Sequence, residues 1–163
     1  MTIKYLVLTE AIQKELDALA EVVAQIETGL ADHKVADEDN QGYIVDSLAL
    51  GLQSFYTGCE NIFRRIATYI DGELPAGERW HADLLDQMSI ELPNVRPQII
   101  TENTKQELKE FLNFRHAIRN IYIFDIASEP VITLASTVSI FFQQFKMELE
   151  NFSEFIEHVG KES

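Results

Sequence analysis

Apolar residues at helical spacing constrain this chain more than any other feature of it. Ile12, Leu16, Leu19, Val23, Ile26 and Leu30 recur at steps of 4-3-4-3-4, the seam of a helix packed along its length on a neighbour. The stripe predicts a first helix over 9–33, which Thr9 can cap. A second helix, over 43–70, shows its inner face in Ile44, Leu48, Leu52, Phe55, Cys59, Ile62, Ile66 and Tyr69. Asp71-Gly72 ends it, glycine suiting the left-handed C-terminal position. A third pattern, Val131, Leu134, Val138, Phe141, Phe145, Phe152 and Phe155, predicts a last helix over 128–159 that opens at Ser128-Glu129-Pro130. The period is near 3.6 in all three, so the fold class is all-α.

The remaining elements follow from punctuation. Residues 34–42 are polar and acidic and read as an interhelical connector. Gly72, Pro75 and Gly77 break the chain after the second helix. A short helix over 79–91 buries Trp80, Leu84, Leu85 and Met88, with His81 at its surface or at the core edge. Pro93 and Pro97 keep residues 92–97 extended or turned. A further helix over 104–124 begins at Thr104-Lys105-Gln106-Glu107, which has the form of a capping box. The architecture expected is an antiparallel bundle of four long helices with one short helix inserted, in a single domain over 1–163. Gly51 and Gly58 lie inside the second helix, seven residues apart and so on one side. Close approach of another helix offsets the roughly 1 kcal/mol that each costs against alanine. Tyr56, Glu60, Arg64 and Arg65 read as the remaining surface of that helix.

Length and composition exclude several classes. A chain of 163 residues supports one good core, not two domains. No run of about 18 uncharged apolar residues exists, so nothing is expected to span a membrane. The N-terminal patch Tyr5-Leu6-Val7-Leu8 has no small-residue cleavage site after it, which argues against a secretory signal. A single cysteine, Cys59, rules out a disulfide framework and reads as a small buried hydrophobe, with a cytoplasmic setting the simplest. The net charge of −14 is the wrong sign for a nucleic-acid binder unless positive charge gathers at one place. It also suits docking to a basic protein partner. Glu78 and His81 have Glu-x-x-His spacing but stand alone, and Glu157-His158 has the wrong spacing, so no metal and no cofactor is expected.

The chemistry-bearing stretch is Phe114-Arg115-His116-Ala117-Ile118-Arg119-Asn120-Ile121-Tyr122. On a continuing helix Arg115, Arg119 and Tyr122 fall within an arc of about 60°. His116 and Asn120 form an i,i+4 pair on the adjoining flank, while Phe111, Phe114, Ile118 and Ile121 turn toward a core. Guanidinium forks suit phosphate and imidazole titrates near neutrality, so the set fits a phosphodiester. The bland alternative is a solvated polar face whose arginines pair with acidic neighbours.

In a helical bundle this stretch resembles the HEPN superfamily, specifically the HepT-like ribonuclease toxins. Their motif is an arginine, four to six residues and a histidine, often followed by x-Tyr. Arg115 takes the arginine's place, His116 that of the polar residue after it, Asn120 the histidine's and Tyr122 the tyrosine's. The stretch from Tyr56 through Trp80-His81 to Tyr122 resembles a divergent HepT-like subgroup, so the likeness covers roughly the C-terminal two-thirds. The resemblance implies an all-α homodimer acting as a metal-independent endoribonuclease, its active site built across the dimer seam. It also implies an RNA substrate and an MNT-type nucleotidyltransferase antitoxin that can adenylylate Tyr122. The departure is Asn120, which cannot exchange a proton. Three outcomes stay open: His116 supplies proton transfer while Arg115 and Arg119 hold the phosphate; the site positions RNA and cleaves slowly; or the chain is a catalytically dead binder. The classes opposed to an enzyme are a non-catalytic helical interaction protein and a nucleotide- or ligand-binding regulator.

Overall fold

The computed structural model describes residues 2–162, and among them there are six α-helices and no strand. The first, α1 (Ile3–Val35), pairs with α2 (Glu38–Ile66), which is extended by a π-helical turn (Ala67–Asp71). A short α3 (Trp80–Met88) follows, then α4 (Glu102–Ile118), a 3-10 turn (Ile123–Asp125), α5 (Ser128–Ala135) and α6 (Val138–Glu162). The expected all-α bundle is present, with the short helix inserted where it was placed. α2 is the hub and packs against α1, α3, α4 and α5, while α6 closes the bundle against α1 and α4.

Several boundaries differ for identifiable reasons. α1 begins near the N-terminus because buried Leu8 continues the stripe four residues before Ile12. Thr9 therefore lies inside the helix and donates its hydroxyl to the Leu6 carbonyl at 3.0 Å, capping nothing. The connector shrinks to Ala36-Asp37, since Asp37 Oδ1 accepts from the Asn40 backbone N–H at 2.9 Å and caps α2. Glu38 and Asp39 suit the positive end of the helix dipole, so acidic sequence here starts a helix. Gly72 ends the second helical stretch at φ +76° in the left-handed region, as expected. α4 starts earlier than the capping-box reading: Thr101 Oγ1 accepts from the Thr104 N–H, and buried Thr104 donates its hydroxyl to Glu148 Oε2 at 2.7 Å.

The last helix is two helices. Ser136 Oγ donates to the Ile132 carbonyl and Thr137 Oγ1 to the Leu134 carbonyl, both at 2.7 Å. Such back-bonding competes with the backbone ladder and bends helices. Ser128 is the first helical residue of α5, not its cap, and Ala127 before it makes no side-chain cap. Beside the first apolar stripe, Phe142, Leu149 and Ile156 form another, and it too is buried within this one chain. The same helix leaves Ile140 and Met147, seven residues apart, exposed.

Two interactions fix α1 and α3 on the hub. A Cβ added at Gly58 would lie 2.5 Å from Leu19 Cδ2, and one at Gly51 would lie 3.0 Å from Ile26 Cγ1. Partner numbers fall along α1 as they rise along α2, the register of antiparallel helices in close approach. Farther on, Arg96 is wholly enclosed. It donates Nε to Asp71 Oδ1 at 2.6 Å and Nη2 to Asp71 Oδ2 at 2.8 Å. Its other donors reach the carbonyls of Gln87, Ile90 and Pro97. Every polar atom of this buried guanidinium is matched, which makes the loop after α3 a rigid strap on the end of α2.

Three tests follow from this packing. Gly58→Ala should destabilise the fold by about 1–3 kcal/mol through overpacking against Leu19, measured by urea unfolding. Gly42→Ala, in α2 with nothing within 4 Å of the added Cβ, should be neutral or stabilise by up to about 1 kcal/mol. Arg96→Met should cost about 3–5 kcal/mol by leaving the buried Asp71 charge with only Gln87 as a donor, and Asp71→Leu added to it should recover part of that loss.

Candidate active site

The Arg115–Tyr122 stretch does not lie on one helix. α4 ends at Ile118, where Asn120 Nδ2 donates to the His116 carbonyl at 3.3 Å. A short polar side chain that satisfies a terminal carbonyl ends a helix more readily than it continues one. The expected arc of Arg115, Arg119 and Tyr122 is therefore broken. Tyr122 is 72% exposed in the segment after α4, its ring stacked on Phe124 at 5.3 Å. Ile121 is likewise exposed, not core.

What the structure gathers instead is a cluster from three helices. Tyr56 and Glu60, expected on the surface of α2, are 1% and 5% exposed. Glu60 Oε2 accepts from His81 Nδ1 of α3 at 2.5 Å, and Glu60 Oε1 lies 3.6 Å from Arg115 Nη1 of α4. The His81 ring stacks on Trp80 with centroids 3.7 Å apart and meets the His116 ring edge-to-face at 5.6 Å. Arg64 sets its guanidinium over the Trp80 ring at 5.3 Å, and Arg115 sets its own over Tyr56 at 5.9 Å. His81 thus lies at the core edge, as expected, and there it meets groups from two other helices. Its role was hidden because its partners lie 21 and 35 residues away in sequence.

Electrostatics divides the cluster. Burial above all, then the charge of Glu60, pushes the Tyr56 phenol far above the ordinary tyrosine range. The Tyr56 hydroxyl and Arg115 Nη1 are both buried without a close hydrogen bond, and Glu60 is the charged neighbour of each. His116 is held below the ordinary histidine range, chiefly by loss of hydration and then by His81, Arg119 and Arg115, with Glu60 opposing. Arg119 is exposed and makes no ion pair among the described residues. Cys59 lies beside the cluster on α2, fully buried as expected, its thiol raised by that burial.

The arrangement offers a neutral imidazole, a second imidazole with one nitrogen held by a carboxylate, and guanidiniums on two helices. These groups can accept and donate protons beside an anion. Among the described residues no group of His, Cys, Asp and Glu is placed to hold a metal ion, and no helix is long and apolar enough to cross a membrane.

A family model described as "HepT-like protein" matches residues 47–156. No curated protein and no solved structure matches the chain. The family match runs from the first turns of α2 into α6 and contains Glu60, His81 and the whole of Arg115–Tyr122. Spanning well over half of the sequence, it makes this chain a HepT-like protein of the HEPN superfamily.

Proposed function

We propose that the protein is a metal-independent endoribonuclease toxin that cleaves RNA by attack of the 2′-hydroxyl on the adjacent phosphate. The observation that carries this reading is the position of His116, an imidazole kept neutral beside Arg115 and Arg119. A general base must be unprotonated at working pH, and a phosphate needs nearby positive charge to stabilise the charge that develops on it. His116 removes the 2′-hydroxyl proton while Arg119 and Arg115 hold the phosphate oxygens. The products are a cyclic 2′,3′-phosphate and a 5′-hydroxyl. Asn120 exchanges no proton; by capping the helix end it sets the turn that carries His116. The wider reading includes a homodimer and a nucleotidyltransferase antitoxin, with exposed Tyr122 as the acceptor for adenylylation.

One observation favours the competing class of a non-catalytic helical interaction protein: Arg115 is partly engaged by Glu60. At 3.6 Å that pairing is longer than a hydrogen bond, and Arg119 is left for a ligand. The two readings separate on RNA cleavage in the presence of a chelator. His116→Ala should lose about 10²–10⁴-fold in cleavage rate and should relieve growth arrest when the chain is expressed alone. Cleavage undiminished in His116→Ala would remove the assignment.

The pH profile has a fixed sign. Because His116 acts in its neutral form and its pKa is lowered, activity should persist below the ordinary histidine range before falling with acid. Arg119→Gln removes a nearby positive charge, which favours the protonated imidazole. The acid limb of the cleavage profile should then move to higher pH. A limb that stays in place, or moves the other way, contradicts a base beside Arg119.

A further inference from the structure

Resting on the ribonuclease reading, we infer that His81, oriented by Glu60, is the general acid that protonates the leaving 5′-oxygen. The site then has a base and an acid from one subunit, although position 120 carries asparagine.

The chemistry requires a second group. In an in-line displacement the attacking 2′-oxygen and the departing 5′-oxygen lie on opposite sides of phosphorus. One imidazole cannot serve both at once. Of the proton-transferring groups gathered at the cluster, Tyr56 and Glu60 are enclosed at 1% and 5% exposure and cannot meet substrate. The His81 side chain keeps 14% exposure and stands 5.6 Å from the ring of His116. Two imidazoles at that spacing can address one phosphodiester from two directions.

Glu60 decides which nitrogen of His81 is used. Its buried carboxylate accepts from Nδ1, which leaves Nε2 as the proton-exchanging atom. A carboxylate behind a histidine fixes tautomer and ring orientation in this way. Trp80, stacked on the ring, restricts its rotation and is itself covered by Arg64. The charged and titratable groups of the cluster are Tyr56, Glu60 and Arg64 from α2, Arg115 and His116 from α4, and Arg119 just past the end of α4. The bond changes balance: His116 takes the 2′-hydroxyl proton, the 2′-oxygen bonds to phosphorus, and the bond from phosphorus to the 5′-oxygen breaks. His81 Nε2 gives its proton to that oxygen, and exchange with water restores both rings. Glu60 is a positioning residue, since it reaches the reaction only through His81.

The test uses the full-length protein and two oligonucleotides, one natural and one with sulfur in place of the 5′-bridging oxygen at the cleaved linkage. A thiolate leaves without protonation, so it needs no acid. His81→Gln should slow cleavage of the natural linkage by about 10²–10⁴-fold and cleave the sulfur linkage at nearly the wild-type rate. His116→Ala should be slow on both. Glu60→Gln keeps a hydrogen-bond acceptor for Nδ1 but no charge; it should resemble His81→Gln with a smaller loss and be rescued in the same way. Circular dichroism melting of each variant separates misfolding from lost chemistry. Equal slowing of both linkages by a folded His81→Gln, or no slowing of either, overturns the assignment while leaving the ribonuclease reading intact. A wild-type chain that cleaves neither linkage overturns both.

Discussion

A carboxylate buried in a helical core must be paired, and Glu60 is paired by groups from two other helices. Left alone in a low-dielectric interior it would cost several kcal/mol. His81 brings a ring nitrogen from α3 and Arg115 a guanidinium from α4, so both helices dock where Glu60 can be neutralised. Packing alone would allow α3 to slide or rotate over the apolar surface of α2. The charge does not, because displacement uncovers it. The edge-to-face meeting of His81 and His116 follows from the same condition, since each ring belongs to a helix tied to that carboxylate. The geometry of the site is set by a stability requirement in the core.

That requirement acts on a frame stiffened elsewhere. α1 and α2 approach closely because glycines on α2 admit leucine and isoleucine from α1, which fixes their register along much of α2. Behind α3, Arg96 and Asp71 close the loop back onto the end of α2 with a fully matched hydrogen-bond set. At the start of α4, Glu148 of α6 accepts from the Thr101 N–H and from the Thr104 hydroxyl. The helices bearing His81 and Arg115 are therefore each held at a second point, away from the cluster. Reactive groups on doubly anchored helices keep sub-ångström geometry better than groups on loops.

The apolar stripes were legible because a helical period repeats over many residues and averages out local noise. They gave the all-α class, the inserted short helix and the reason for Gly51 and Gly58. Tyr56 and Glu60 were not legible, because period assigns residues to an angle and cannot know how much of the circumference is covered. α2 is enclosed on several sides, so angles that would be surface on an outer helix are core here. His81 was missed for a different reason: its partners come from distant turns of the chain, and no local pattern marks a cross-helix dyad. The stretch from Arg115 to Tyr122 was found by residue type, yet its helix was drawn too long. In the sequence Asn120 reads as the replacement for a histidine, while its side chain serves as a cap and the helix stops at Ile118, short of the expected residue 124.

The charge of the molecule completes the account. A chain with net charge −14 repels a polyanion at a distance, and screening at physiological salt confines any attraction to within about 8 Å of a cation. Arg64, Arg115 and Arg119 supply such cations around the two imidazoles, with Glu60 as the opposing charge inside. Affinity for nucleic acid grows with the number of phosphates neutralised, so under the proposed function these few arginines would give a weak hold with a shallow dependence on salt. Under the proposed ribonuclease reading, a weak hold matched to one phosphate would suit turnover better than storage. It would place the binding energy at the bond to be broken, where interactions with the transition state raise the rate, and not along a strand where they would only slow release.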